Sequence, residues 1–579
     1  MTQDSNFLRT EYFKVLFPIM YSVLGGTINA LIDSVIISQK LGSSGLAAVN
    51  LSMPVYLLLC IIGSLAAYGA SFLSAREVGR ENMKAAGKYF QTCFTVGLAA
   101  GAVCTVAGFF LCSAIAQFLS GDNSFYSYVF DYCQVTFLGS IPFIMSYVVI
   151  NYLQLAGKLK SISLVVVIMV GSDLLLDLLF IYPLNIGMKG LALASVLATL
   201  FATVYGFISL EKGSETYKLK IKEMGFWKFG EILRFGSPAA LGNLFDAVKL
   251  LLLNILILRF GGEESAAIWA ALNILSELSL VIILGVPRAG APMIGVYNSS
   301  RENGGIRILI KLEIKTGLLF TAVFSILLLV FSGLLKNVFA IPNSIFLPLL
   351  CLSGSLMCNV VSSILEFYFN AVGRIQISNA LAAIRRLILP VMVLAGFGNS
   401  VYLWLFLPIS AAVSLLMGIM IIGATGQYYA ENGTELSRVL LLDDRLEQEH
   451  RVLDFSVPAD MEKVCEASEQ ISEFCELHQM SPKQVMRLGL SIEELLNVMI
   501  QKNPELRFVD LRAYILQGVI GIRIRCTGKN YNPFEDSDSD EDFLMGILML
   551  KKMCQAVTHT YALGMNTINL IYENSEESL

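Results

Sequence analysis

Apolar runs about 20 residues long recur along this chain from Tyr12 to Gly426, each long enough to carry a helix across the ~30 Å hydrocarbon layer of a bilayer. In hydrocarbon every backbone polar group must be satisfied inside the protein, which leaves helices or closed barrels, and runs of this length read as helices. Twelve spans are expected, at 12–38, 47–75, 88–112, 126–154, 160–182, 187–209, 233–260, 264–297, 307–333, 343–370, 375–400 and 402–426. The 15% content of charged residues agrees, since soluble domains carry about a quarter. Basic stripes with interleaved aromatics, the footprint of nucleic-acid binding, are missing from the sequence. The eleven cysteines are scattered singly, and the three histidines (His450, His478, His559) all lie in the tail without metal-ligand spacing. The polar start MTQDSNFLRTEYFK lacks a small-residue cleavage site, so the first run is expected to be a retained span rather than a signal peptide.

The bases fix an expected orientation. One set of connections holds Arg9 and Lys14, then Arg76, Arg80, Lys84 and Lys88, then Lys158 and Lys160, the run Lys212 to Lys228, Arg301 with Arg307, and Arg374. The alternate connections hold little beyond Lys40, Lys189, Arg259 and Lys336. Lys and Arg are retained on the cytoplasmic side, so both termini are expected in the cytoplasm of a multi-pass plasma-membrane protein.

The chain also repeats itself. YLQLAGKLKSIS at 152 returns as YFNAVGRIQIS at 368; KLGSSGLAAVNL at 40 is echoed by RFGGEESAAIWAAL at 259; GREN at 79 by SREN at 300. Six spans per half place both halves in the membrane in the same sense, a parallel repeat of the kind that builds two-lobed transporters around an axis along the membrane normal. The expected fold is therefore an all-α polytopic membrane protein, with an N-lobe at 1–215 and a C-lobe at 216–426, followed by a linker at 427–450 and a small cytoplasmic α/β domain at 451–579.

Charged groups at mid-membrane cost about 2.5–3.5 kcal/mol even on lenient scales, which makes each one a functional candidate. Asp33 lies in NALIDSVII, inside the first span; Asp173 and Asp177 stand four apart in the fifth and so share a helix face. Two carboxylates on one face repel unless a cation, a proton or an opposing base lies between them. These three form the candidate coupling site, oxygen-rich enough for sodium and desolvated enough for a proton carrier. The C-lobe candidates are Asp246, with Lys249 three residues on, Glu277, and Glu366, which the pair Arg385–Arg386 can satisfy from the neighbouring helix. Gln154 and Asn370, the amides of the repeated phrase, are expected to lock loop geometry.

FPIMYSVLGGTINALIDSVIISQKLGSSGLAAVNLSMPV, QLAGKLK, DLLLDLLFIYPLNIGMKGLALASVLAT and SPAALGNLFDAVKLLLLNILILRFGG, in that order, resemble the multidrug and toxic compound extrusion (MATE) transporters over about residues 10–426. The resemblance implies two bundles that open alternately to either side and export organic cations or drugs against entering sodium or protons. It also matches Asp33 to an acid of the family's first helix, and Asp246 to the acidic position of some relatives, whereas Asp173 stands where many relatives carry asparagine. The rival readings are a lipid-linked saccharide flippase, which would want several cavity bases for a diphosphate, and a membrane-tethered serine kinase or anti-sigma regulator.

The tail offers a capped helix in SPKQVMRLGLSIEELLNVMI, strands in RFVDLRAYI and VIGIRIRC split by Gln517–Gly518, a helix in FLMGILMLKKMC and a closing strand in NTINLIY. That order resembles the ATP-binding domain of anti-sigma-factor serine kinases, of the histidine-kinase ATPase superfamily. The resemblance assigns Glu493 and Asn497 to a nucleophile-activating and a magnesium-holding position, and Gly528 and Gly546 to glycines of the nucleotide boxes. Cys526 stands where the family's adenine-binding aspartate belongs, and a thiol does not accept the adenine amino hydrogen as a carboxylate does. The acidic run EDSDSDEDF at 535–543 would repel phosphates. A degenerate regulatory module that contacts another protein, rather than an ATP- and magnesium-dependent enzyme, is the expectation.

Overall fold

The computed structural model describes residues 6–573 other than 41, 121–122, 339–344, 398–401, 427–434, 444–446, 448, 450, 504–505, 517–518 and 536–543. The N-terminal half of the membrane part runs α1 (Asn6–Lys40), α2 (Gly42–Gly79), α3 (Met83–Ser120), α4 (Asn123–Leu138), α5 (Ser140–Leu155), α6 (Leu159–Ile181) and α7 (Met188–Gly213). The second half runs α8 (Phe229–Ile283), α9 (Gly285–Ser299), α10 (Asn303–Val330), α11 (Ser332–Val338), α12 (Phe346–Ala371), α13 (Ile375–Ala383), α14 (Leu389–Phe397) and α15 (Phe406–Gly426). Among the described residues ten helices are long and apolar enough to cross a membrane, and eleven with the bent pair α4–α5 taken as one span. α1, helical over all of the expected first span, stands outside that count.

Four expected spans differ in shape. The fourth is bent by 51° between α4 and α5, just before Pro142, which has no N–H to give the carbonyl of Leu138. The seventh and eighth run together as α8, broken at Gly262, whose φ of 68° is one that glycine tolerates. The eleventh carries a π-helical segment, Ile384–Ile388, between α13 and α14.

The halves meet where α2 packs along the start of α8. A Cβ added at Gly69 would lie 2.1 Å from the Ile232 carbonyl oxygen, one at Gly236 1.9 Å from that of Leu65, and one at Gly79 2.3 Å from that of Val296. Backbone meets backbone along this line, and side chains add to it: Asn243 donates to Ser64 at 3.2 Å. Gln154 does not serve its own loop as expected. Its amide crosses to the other half and donates to the carbonyls of Arg288 (3.1 Å) and Ala289 (3.2 Å).

After the membrane part, α16 (Glu435–Leu440) lies in the segment expected as a linker, yet Leu440, Leu441 and Leu442 are buried in the core of the membrane half, and the Tyr368 hydroxyl donates to the Leu440 carbonyl at 2.6 Å. The tail then forms β1 (Val452–Pro458), α17 (Met461–Leu477), α18 (Pro482–Lys502), β2 (Phe508–Leu516), β3 (Val519–Thr527), α19 (Leu544–Met553), β4 (Ala556–Ala562) and β5 (Met565–Glu573). The strands make one antiparallel sheet in the order β1-β2-β3-β5-β4. The three strands and two helices expected are present; β1, α17 and β4 are additional. Alternation sorts the sheet: Val509, Leu511, Ile522, Ile524 and Leu570 pack into a core with Val464, Ile492 and Leu496 of α17 and α18. Asp454, Asp510, Arg512, Arg523 and Arg525 take the opposite face.

That polar face is covered by the membrane half. Arg525 is 2% exposed and lies 4.4 Å from the ring centre of Tyr297 of α9. Burial raises the Asp510 carboxyl to about 7 and that of Asp454 to about 6. At Glu302, in the loop between α9 and α10, burial is outweighed by Arg525 and Arg523, and the carboxyl is held down at about 2. An acid whose folded pKa is raised contributes stability that is complete below its unfolded pKa and lost as the pH rises through the folded one. Asp454 and Asp510 therefore withdraw support between about pH 4 and 7, while the Glu302 contribution, of opposite sign, is already complete above about pH 5. The thermal midpoint of the tail should fall from pH 5 to pH 8, and Asp510→Asn should flatten that slope; an unchanged slope in the variant would show that Asp510 is not its source.

Candidate functional site

Asn29 and Asp33 stand four apart on α1, and Asp173 and Asp177 four apart on α6, so each helix presents a polar step to the other. One oxygen from each of the three carboxylates falls within 4.8 Å of the others. Asp173 is 1% exposed and Asp177 fully buried. The Asn29 amide donates to Asp173. Asp33 Oδ1, Asp173 Oδ1 and both oxygens of Asp177 are buried without a hydrogen-bond partner. Orphaned carboxylate oxygens in a membrane interior are costly, and three acids this close cannot all stay ionised without a positive charge among them. The donor set suits a hard cation, or protons on one or two of the acids. Asn29, Asp33 and Asp173 face a cavity of about 180 Å³ whose walls include Met53, Tyr56, Tyr132 and Phe143. Among the described residues its lining includes no Lys or Arg.

The second half has a matching cavity of about 130 Å³ with the opposite chemistry, lined by Asp246, Lys249, Trp269, Asn273, Arg385 and Arg386 among others. Here the acids are paired. Glu366 on α12 receives Arg386 Nη2 at 2.8 Å and Arg385 Nη2 at 2.5 Å, the second arginine being brought round by the π-helical segment. Arg386 Nη1 reaches on to Asp246 at 2.8 Å, and Lys249 closes the chain at 2.9 Å from Asp246. Of the C-lobe candidates, the structure thus brings Asp246 and Glu366 together through ion pairs and leaves Glu277 exposed, within the field of Asp246 and Lys249.

Within the membrane helices, a buried Glu313 and a half-buried Arg288 were among the charges that escaped the sequence reading. Glu313 of α10 is 1% exposed, and its Oε1, without a hydrogen-bond partner, lies where a side chain at Gly290 would have to be. Arg288 of α9 lies 5.4 Å from the Tyr68 ring centre of α2, a cation–π contact across the two halves. Both sit near charged helix ends in the sequence (IKLEIK, GVPRAG), where a base or acid passes for a loop charge; spacing from the neighbouring apolar face was the available signal. Asn29, one turn before Asp33, was legible and unused.

In the tail, Glu493 and Asn497 lie one turn apart on α18. Glu493 accepts from the Cys465 thiol at 3.2 Å, and Asn497 Oδ1 is buried without a partner. A Cβ at Gly546 would meet the Glu494 carboxylate at 2.0 Å, and one at Gly528 the Asn503 amide at 1.8 Å. A carboxylate against Gly546 is a poor neighbour for phosphate. Cys526 is 3% exposed, and burial pushes its thiol up to about 12.

Residues 18–179 match the MatE family profile. The multidrug export protein MepA of Staphylococcus aureus is 22% identical over 432 residues, covering 72% of this chain and 94% of that protein, and its counterpart in Staphylococcus haemolyticus is 23% identical over 316 residues, covering 52% and 69%. Among solved structures, an outward-facing conformation of a multidrug resistance MATE family transporter of the MOP superfamily superposes with a TM-score of 0.67 at 21% identity, covering 72% of this chain and 97% of that one. The membrane half has the MATE fold. A MOP superfamily transporter from Pyrococcus furiosus, described as having a binding pocket of reverse polarity, matches with a TM-score of 0.66 at 21% identity, covering 72% of this chain and 96% of that one.

The two acid clusters should respond differently to mutation. Arg386→Met leaves Glu366 and Asp246 short of a partner and should destabilise the protein by about 3–5 kcal/mol, read as a lowered thermal midpoint in detergent. Asp177→Asn removes a repelling charge and should leave that midpoint unchanged or raise it; a large loss there would mean the N-lobe acids are structural.

Proposed function

We propose that this chain is a secondary active exporter of organic cations or drugs. It works by alternating access of two six-helix lobes, with α1 counted as the first of twelve spans, and is coupled to sodium or proton entry through Asp33, Asp173 and Asp177. The observation that carries this reading is the cluster of three carboxylates with buried, unpartnered oxygens, two of them, Asp33 and Asp173, facing an aromatic-lined cavity. A cation entering that cluster removes the repulsion between the acids and draws α1 toward α6. Cargo and coupling ion then act on one cavity, so binding of either changes the affinity for the other by the same factor. Tyr56, Tyr132 and Phe143 offer π faces, and Met53 a polarisable thioether, to an organic cation. The likeness to proteins described as multidrug exporters supports the same reading. No covalent step belongs to it.

The flippase alternative asks for free bases in the cavity. Lys249, Arg385 and Arg386 are committed to Asp246 and Glu366, which weighs against a diphosphate cargo. A kinase reading of the tail meets Glu494 at Gly546 and Cys526 in place of the adenine-binding acid. We read the tail instead as a regulatory module on the same side of the membrane as the Lys- and Arg-rich loops, the cytoplasm.

In vesicles carrying the full chain, ethidium should move against an imposed sodium or pH gradient, and Asp33→Asn should reduce that movement to the level of empty vesicles. Undiminished gradient-driven movement in Asp33→Asn would remove the N-lobe cluster from the coupling mechanism.

A further inference from the structure

The repeated phrases GREN and SREN end the second span of each half in a tight turn, with a glutamate at the left-handed residue of the first and just after it in the second: Glu81 has φ 63°, and Arg301, just before Glu302, has φ 56°. The two turns come side by side, since the Ser300 hydroxyl donates to the Gly79 carbonyl at 3.0 Å. One face of the tail sheet covers both. Arg525 forks onto Glu302 with two contacts of 2.6 Å. Arg523, next but one along β3, holds Glu302 at 2.6 Å and reaches Glu81 of the other half at 3.5 Å. Arg512 donates to the Arg301 carbonyl at 2.8 Å, and the Thr558 hydroxyl donates to Glu81 at 2.5 Å.

The β4–β5 turn completes the grip on the first half. Leu563 donates its N–H to the Leu155 carbonyl at 2.7 Å, and Ala562, Leu563 and Met565 are buried in the same core as the membrane helices. A Cβ at Gly157 would lie 2.1 Å from the Gly564 nitrogen. The glycine of the repeated phrase YLQLAGK is thus a seat for the tail as well as a turn.

We propose that the tail domain is a clamp across the two lobes. It ties the N-lobe turn at Glu81 and the loop at Gly157 to the C-lobe turn at Glu302, so the bundle opens at this end only when the sheet lets go of one lobe. The arginines leave little room for partial release. Arg523 and Arg525 are 6% and 2% exposed and share one carboxylate, and a buried charge that loses its partner is strongly disfavoured. The seam therefore has two states, closed on both lobes or detached from one. It lies at the same end as the backbone contact of Gly79 with Val296, whereas the carboxylate cavity lies toward the far end of α1. In this arrangement the tail domain, on one side of the membrane, controls access to a site toward the other. The clamp's consequence for transport rests on the exporter reading above; its effect on the lobes does not.

The test uses the full chain in lipid nanodiscs, with spin labels at Lys84→Cys and Lys311→Cys in a Cys465→Ser background, both lysines and Cys465 being exposed. Glu302→Gln should add a longer distance between the lobes and raise its population about tenfold or more. Distances identical to those of the parent would overturn the clamp. A second arm does not depend on how Glu302→Gln folds: Glu81→Cys with Thr558→Cys and Arg301→Cys with Arg512→Cys, each pair bridged by a cleavable bifunctional thiol reagent so that the tail is held on both lobes, should stop ethidium movement, and reduction should restore it. Undiminished movement by the bridged protein would also overturn the clamp. Where the unbridged parent moves no ethidium, the exporter reading fails by itself, and the distances alone decide the clamp.

Discussion

A charge inside a membrane protein must be neutralised by something, and the two halves of this chain answer that demand in opposite ways. In the second half Asp246 and Glu366 are matched by Arg385, Arg386 and Lys249 in one connected chain of ion pairs. In the first half, among the described residues, Asp33, Asp173 and Asp177 have Asn29, Ser195 and one another. A self-neutralised cluster has nothing to gain from an ion in solution, while a cluster of like charges has a great deal to gain. The placement of bases leaves one cluster satisfied and the other short of positive charge.

Much of this was written where the sequence is most constrained. Asp33, Asp173 and Asp177 stood out because hydrocarbon makes every acid conspicuous, and the spacing of four set two of them on one face. Glu366 with Arg385 and Arg386 could be paired from the same logic. Glu313 and Arg288 could not, because charges within a few turns of a helix end look the same whether they point to water or into the seam between lobes. Gln154 was read as a local lock for a similar reason: its partners are 134 and 135 residues away, and nothing local announces a contact at that distance.

The tail illustrates the limit most clearly. VIGIRIRC was legible as a strand, but nothing in it marks its arginines as other than ordinary solvated charges. They are instead among the most buried bases in the protein, because the partner that covers them, Glu302, sits in a loop of the membrane half. β1, α17 and β4 were missed on a simpler ground. HTYA and the run from Met461 mix polar and apolar residues without a firm period, and their structure is imposed by pairing with β5 and packing on α18.

The bond from Gln154 to the carbonyls of Arg288 and Ala289 has an evolutionary corollary. Its acceptors belong to the main chain, so the residues at those two positions can drift without breaking it, provided the local path of α9 is kept. Substitution surveys that read importance from side-chain identity would pass over positions 288 and 289 as far as this contact is concerned. A shift of the helix itself would register at once.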